Sequence, residues 1–500
     1  MSLIESAPAA DRPGAEDIVG TAEAGPAALR GGLLRTGGFV LGLLLGLASA
    51  PLIVRHLGDA GFGRYSAVLA VVAIVAGLTE GGVNTVALRE LAAITDRAER
   101  DRAMRDLLGL RLLLSCGGIL LAVGFVVVAG YGVSLTEGAL LAGLGMLFAV
   151  TQSLLATVLQ SRLRFGWMTL IELIRQVLIT GLIVALVLLD AGVVSFLAAS
   201  IPGGIVALAM TVALVKDETT LRPSFNPRHW GALLRETVIF ALAVAVNTLY
   251  LRVTLVIMTL LATAEQTGYF AISFRVMEVL VTVPLLLIGS AFPIVARAAR
   301  SDKERFAFAA GRMFELSVYV GALGALCLML LAPFAVEVLT GSSEHPSVVV
   351  LQIQSLAIAP SFVAVAATYM LLGMRRHRET LFANCLSLAL AVILAIVLIP
   401  PFEADGAAAA AVIAELALAI SSTWLLVRAN GPGMPYSSLA VALVAAACGY
   451  SAGAFADFHP LVDSAIAGMV FLVVLRVLGR FPPEVRDILR GLRSSGAPVG

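Results

Sequence analysis

Fourteen apolar runs of about twenty residues each, separated by short polar turns, leave this chain few ways to fold. As an α-helix, a run of that length crosses the roughly 30 Å hydrocarbon layer of a bilayer. The runs fall near residues 33–54, 65–88, 107–130, 138–160, 168–189, 193–215, 236–261, 268–293, 312–332, 347–372, 381–400, 407–428, 438–455 and 463–480. Only 13% of the 500 residues are charged, about half the share usual in soluble domains. The expected fold class is therefore an all-α polytopic membrane protein with about 14 transmembrane helices. The net charge of +1 identifies no partner, because the charges are segregated by side; no nucleic acid is expected.

Segregation of charge sets the orientation. Of the 34 Lys and Arg, 29 fall on one set of alternating loops, tails or adjoining span ends. Only Arg55 and Arg64 fall on the other side, and Arg175, Arg252 and Arg275 lie within spans. Both termini are then cytoplasmic, as an even number of spans requires. Residues 1–31 lack the basic start and short apolar core of a signal peptide and read as a disordered cytoplasmic tail. The outer loops are short, at Tyr131–Glu137, Asp190–Gly192, Ala262–Thr267 and Pro401–Gly406.

The chain also repeats. Gly63-Arg-Tyr-Ser-Ala opens the second span and Gly268-Tyr-Phe-Ala-Ile the eighth, 205 residues later. Thr95-Asp-Arg-Ala-Glu-Arg and Ser301-Asp-Lys-Glu-Arg follow those spans at an offset of 206. The basic turns at Arg162/Arg164 and Arg375/Arg376/Arg378 correspond, as do Asp190-Ala-Gly and Asp405-Gly. Six spans repeated once give two parallel pseudo-symmetric lobes. The expected organisation is an N-terminal lobe over 32–215, a cytoplasmic linker over 216–235, and a C-terminal lobe over 236–428. Helices 13 and 14 over 429–480 and a cytoplasmic tail over 481–500 complete it. Pro223 and Pro227 keep the linker from being one helix.

The stretch His56-Leu-Gly-Asp-Ala-Gly-Phe-Gly-Arg-Tyr-Ser, with Glu80-Gly-Gly and Ala87-Leu-Arg-Glu-Leu-Ala, resembles the first repeat of the Wzx-type polysaccharide-biosynthesis flippases of the MOP superfamily. Thr267-Gly-Tyr-Phe-Ala and Phe292-Pro-Ile-Val-Ala-Arg resemble the second repeat. The likeness of pattern runs over about residues 33–430, and the count of fourteen spans is also that of the MurJ branch. The resemblance implies a bacterial inner-membrane carrier with two lobes about a central cavity. It implies alternating access that moves an undecaprenyl-pyrophosphate-linked oligosaccharide (an O-antigen, capsule or exopolysaccharide unit) to the periplasmic leaflet. Membrane lipids and polysaccharide polymerase or assembly proteins would be its partners.

Intramembrane charge gives the candidate residues. An arginine at bilayer depth costs about 2.5–3.5 kcal/mol on insertion scales, so three of them call for an anion, a carboxylate or a water path. Arg252 lies about nine residues from the outer end of span seven and Arg275 about seven residues into span eight, so their depths match. Arg175 lies about seven residues from the cytoplasmic end of span five. Guanidinium groups bind phosphate bidentately, and the three form a staged path for a pyrophosphate. Glu172 before Arg175 and Glu278 after Arg275 are at same-face spacing, so internal pairing competes with ligand contact for these two. Arg252 has no carboxylate at such spacing and needs a partner from another helix or a ligand.

Glu80, Glu172, Glu278 and Glu415 lie within spans and are candidates to carry a coupling H+ or Na+; their alternative is structural pairing. Gln152, Gln160, Asn247, Gln352, Gln354 and Asn384 read first as links between helices. Pro202-Gly203-Gly204, Pro284 and Pro360 mark expected kinks. The charged stretch Arg97–Asp106 reads as a solvated surface helix. Cys116, Cys327, Cys385 and Cys448 sit in apolar runs as small hydrophobes, and the five histidines show no metal-ligand spacing. No cofactor and no catalytic residue are assigned, and no Walker pattern links transport to ATP. The competing readings are a MurJ-like lipid II flippase, a MATE-like exporter, which three buried arginines disfavour, and an integral-membrane glycan polymerase or ligase, which the short outer loops disfavour.

Overall fold

The computed structural model describes residues 24–481 apart from 81, 85–86, 89–93, 95, 163, 226, 302 and 430–432. The expected tails therefore lie outside the described residues up to 23 and beyond 481. Helix α1 already begins at Ala24, inside the segment read as a tail. The helices are α1 (Ala24–Glu80), α2 (Arg97–Val128), α3 (Val133–Ser161), α4 (Phe165–Leu188), α5 (Val193–Ala198), α6 (Ser200–Val215) and α7 (Pro227–Leu261). They continue with α8 (Ala264–Ser301), α9 (Lys303–Thr340), α10 (Ser347–Ser355), α11 (Ile358–Gly373), α12 (His377–Arg428), α13 (Ser437–Ala454) and α14 (Pro460–Val477).

Helices and spans do not map one to one. α1 has 57 residues and α12 has 52, and a straight helix of either length would run to about 80 Å, more than twice a bilayer core. Each contains one residue with non-helical dihedrals, Gly58 (φ 65°, ψ 179°) and Glu403 (φ 49°, ψ −124°). Each is two spans joined almost without a loop. At Glu403 the reversal is direct: a Cβ on Gly406 would come within 3.0 Å of the carbonyl oxygen of Leu398, eight residues back. Eight residues separate groups by about 12 Å in a straight helix.

Conversely, α5 with α6, and α10 with α11, are single spans broken part-way, the second pair by 41°. Proline has no N–H for the carbonyl four residues earlier. The breaks fall at Ala199 before Pro202 and at Leu356–Ala357 before Pro360. Pro284 does not interrupt α8, contrary to the expected kink. Among the described residues, ten helices pass by length and apolarity, and eleven with the bent pair. The second legs of α1 and α12, and α7 with its apolar part Ala245–Leu261, fill the remaining runs.

Within the N-terminal half, α1 packs on α2, α3 and α4, and α3 packs on α6. In the C-terminal half, α7 packs on α12, and α11 on α8, α9 and α12. Small residues allow these close approaches: Ala407, Ala408, Ala410 and Ala414 of α12 are fully buried. α13 and α14 pair through Gly449 and Gly453, where a Cβ would strike the backbone of Ala467 and Asp463, and both rest on α9.

The two halves meet along α1 against α7 and α8. At the end of the bundle carrying Gly58, the repeated sequence motifs touch each other. A Cβ on Gly63 would lie 2.8 Å from the Gly268 amide nitrogen, and one on Gly268 would collide with the Asp59 carbonyl. Around them, Arg55 Nη2 donates to the Val338 carbonyl at 2.8 Å, and His345 Nε2 lies 3.0 Å from Asp59 Oδ1. At the opposite end the linker is strapped to the N-terminal half. Glu218 pairs with Arg162 at 3.1 Å and Arg164 at 2.9 Å, and Ser224 N donates to the Arg105 carbonyl at 2.8 Å. The stretch Arg97–Asp106, expected as a solvated surface helix, opens α2 and is a docking surface for that strap: Asp101 Oδ1 accepts from Thr220 N at 3.0 Å.

Candidate functional site

The two-residue connection between α7 and α8, Ala262-Thr263, sets Arg252 and Arg275 at similar depth on neighbouring helices, and one carboxylate joins them. Glu278 Oε1 accepts from Arg252, while Glu278 Oε2 accepts from Arg275 Nη1 at 2.8 Å. Residues 274, 275 and 278 share a face of α8 by their spacing of three and four, and the Phe274 ring lies 5.4 Å from the Arg252 guanidinium carbon. Arg252 is thus held between an aromatic face and a carboxylate, both from α8. The side chains of Arg252, Glu278 and Arg275 are 27%, 31% and 37% exposed, so the cluster borders open space instead of being sealed in the core.

This cluster faces the other half of the molecule. Arg275 Nη2 is 3.4 Å from the Gly46 carbonyl of α1. A Cβ on Gly46 would lie 3.8 Å from the same nitrogen and 3.3 Å from Gln176 Nε2 of α4. Glycine at 46 therefore keeps the gap between α1, α4 and α8 free of a side chain. Arg175, next to Gln176, is paired within its own helix: its Nε donates to Glu172 Oε2 at 3.0 Å.

The four acids separate by partner. Glu172 and Glu278 are held by arginines. Glu80 accepts from Asn84 Nδ2 at 3.0 Å, with Arg111 as a charge neighbour. Glu415, on the second leg of α12, accepts hydrogen bonds from the hydroxyls of Tyr250 of α7 and Ser361 of α11, and forms no ion pair among the described residues. Tyr250 lies two residues from Arg252, so α7 connects the carboxyl site to the guanidinium site.

Of the polar residues, Gln152 Nε2 donates to Thr211 Oγ1 at 3.1 Å, a link between α3 and α6, and Gln352 reaches the Met329 carbonyl at 3.5 Å. Gln354 and Asn384 are buried, Gln160 is half-buried and Asn247 is exposed.

Arg111, counted with the cations at span ends, is nonetheless fully buried at 0% exposure, and its Nη1 donates to the Thr79 carbonyl at 3.2 Å. Thr79 is one of the last residues of α1, whose carbonyls lack intrahelical partners, so Arg111 caps that helix from α2. The sequence carried the signal: Arg111 has Leu107, Leu108, Leu114 and Ser115 at same-face positions and no carboxylate there, the same test that singled out Arg252. Phe274, Gly46, Gln176 and the Tyr250–Glu415 contact had no comparable signal, because each depends on which helices become neighbours.

Residues 28–299, more than half of the chain, match the family model described as polysaccharide biosynthesis protein. The chain belongs to the polysaccharide biosynthesis protein family. That match spans the N-terminal half, the linker, α7 and nearly all of α8, and so includes Arg175, Arg252, Arg275 and Glu278. No curated protein matches the chain by sequence. Among solved structures, this family member is similar to the lipid II flippase MurJ in an inward closed conformation, with TM-score 0.74, 14% identity, and coverage of 91% of this chain and 100% of that one. It is also similar to an inward-facing multidrug resistance MATE family transporter of the MOP superfamily, with TM-score 0.60, 15% identity, and coverage of 80% and 98%. A MOP superfamily transporter from Pyrococcus furiosus, described as having a binding pocket of reverse polarity, gives TM-score 0.56, 17% identity, and coverage of 81% and 95%. These likenesses establish the fold, that of a multi-pass membrane protein.

Proposed function

We propose that the protein flips an undecaprenyl-pyrophosphate-linked oligosaccharide from the cytoplasmic to the periplasmic leaflet of the bacterial inner membrane, with both termini cytoplasmic. One observation carries this reading: Arg252 and Arg275 converge from two helices on a single carboxylate, facing the other half of the molecule across Gly46. A site built of permanent cations suits a diphosphate and not a cationic drug. The lobes rock about this site, and the glycan, whose hydroxyl groups tolerate a wet cavity, follows the diphosphate. Polysaccharide polymerase or assembly proteins receive the product.

A lipid II flippase is the second reading. It is favoured by the TM-score of 0.74 to MurJ against 0.60 to the MATE transporter, and its diphosphate is chemically the same. Complementation separates the two. In a strain lacking its own repeat-unit flippase, the protein restores surface glycan; rescue of a lipid II flippase-deficient strain alone would assign the second reading.

Glu415 is the proposed carrier of the coupling H+, because among the described residues only hydroxyl groups hold it, and a carboxylate at bilayer depth without a cation is costly. Glu415→Gln keeps both hydroxyl contacts and removes the titration. The expected result is transport that no longer responds to an imposed pH gradient. A wild-type pH response in the variant would reject Glu415, and a requirement for a sodium gradient would make Na+ the coupling ion.

A further inference from the structure

We infer that Glu278 is an internal stand-in for the substrate's diphosphate: it occupies both guanidinium groups in the empty protein and leaves them when a diphosphate arrives. The inference rests on the diphosphate reading of the arginine pair. Its basis is the geometry of the bridge. One carboxylate presents one oxygen to Arg252 of α7 and the other to Arg275 of α8, at 2.8 Å for the latter. Two non-bridging oxygens of one phosphate would span the same two groups in the same way.

Charge explains why a stand-in is present. Two unpaired guanidinium groups inside a bilayer would be costly, and Glu278 reduces the net charge of the cluster to +1. Charge also explains why it must leave. A diphosphate brought to the same two cations would face a third anion at contact distance, and like charges at such a site repel.

The partners are built for exchange. Arg252 is held on its other side by the Phe274 ring at 5.4 Å, and Arg275 reaches the Gly46 carbonyl at 3.4 Å, so both cations keep a contact when the carboxylate departs. The Glu278 carboxylate, in contrast, has no partner besides the two arginines among the described residues, and its 31% exposure leaves it room to turn away. Its return competes with bound diphosphate and hastens release. A carrier needs this, since a site that binds too tightly cannot let go.

Equilibrium binding of farnesyl diphosphate to the purified full-length protein tests the inference, with inorganic phosphate as the control anion. Glu278→Gln, which keeps the shape and loses the charge, is expected to bind farnesyl diphosphate about tenfold more tightly or better and to turn over more slowly. Glu278→Asp keeps the charge but is too short to bridge both groups, and is expected to bind with intermediate affinity; it also serves if the glutamine variant fails to fold. Arg252→Ala is expected to bind poorly. Equal affinity in wild type, Glu278→Gln and Glu278→Asp, with binding still lost in Arg252→Ala, would overturn the stand-in and leave the arginine site intact. No binding in any form would overturn the diphosphate reading itself.

Discussion

Replacing Arg252 with alanine is expected to abolish restored surface glycan in a flippase-deficient strain while the protein stays in the membrane at normal levels. Both halves of the expectation come from the same contact. Removing one member of a hydrogen-bonded charge pair at a binding site costs about 2–5 kcal/mol of affinity, or roughly 30-fold to several thousand-fold. Stability is spared because Glu278 keeps Arg275 at 2.8 Å, so no carboxylate is left alone at bilayer depth. Arg175→Ala is the informative comparison. Its guanidinium is paired with Glu172 on the same helix, and the loss of glycan should be smaller. Surface glycan at wild-type levels in the Arg252 variant would remove the main support for the arginine site.

Adding a single methyl group at Gly268 is expected to open the seam between the halves. In the structure a Cβ there would lie within 3.0 Å of the Asp59 carbonyl, and the atoms it meets are all backbone, which cannot rotate away. Overpacking of this kind costs about 1–3 kcal/mol. In an equilibrium between two states that cost shifts the populations by roughly 5- to 150-fold. Gly63→Ala meets the Ala264 carbonyl and the Gly268 amide and should act alike, whereas Gly181→Ala in α4, with nothing within 4 Å, should do nothing. A cysteine pair at positions 59 and 345, joined by a short bifunctional thiol reagent because the native 3.0 Å contact is between the tips of longer side chains, reports the seam in a background freed of the native cysteines. Cross-linking should fall in the Gly268→Ala and Gly63→Ala proteins and persist in the Gly181→Ala protein. Undiminished cross-linking would mean the seam tolerates the added volume.

Much of the architecture was legible because lipid leaves the backbone so few options. Apolar length marked the spans, and the positions of proline marked where two of them break: Pro202 and Pro360 act through the carbonyls at 198 and 356. Pro284 shows the limit of that signal, since α8 continues through it; neighbouring helices can accommodate the lost bond. The hairpin turns at Gly58 and Glu403 were placed to within a few residues, but not their tightness, which follows from close packing of the two legs. The repeat was legible as an offset of about 205 residues; that its two glycines would press on each other was not, because an offset in sequence does not fix the separation of the two residues in space.

For the site, sequence depth alone placed Arg252 and Arg275 side by side. It left Arg252 needing either a partner from another helix or a ligand, and Glu278 of α8 supplies a partner. Glu278 serving two arginines at once was hidden, since same-helix spacing assigned it to Arg275 alone. Arg111 was overlooked because its place near a span end says nothing of burial, which follows from its donating to the end of a neighbouring helix.

The most direct test of the account is translocation by the purified protein in proteoliposomes carrying an undecaprenyl-diphosphate-linked oligosaccharide, followed by loss of cleavage by a glycosidase that cannot cross the membrane. The account predicts that the wild-type protein moves the lipid under a pH gradient and that Arg252→Ala does not. Movement of a cationic dye by the wild-type protein, with the diphosphate-linked lipid left in place, would contradict it.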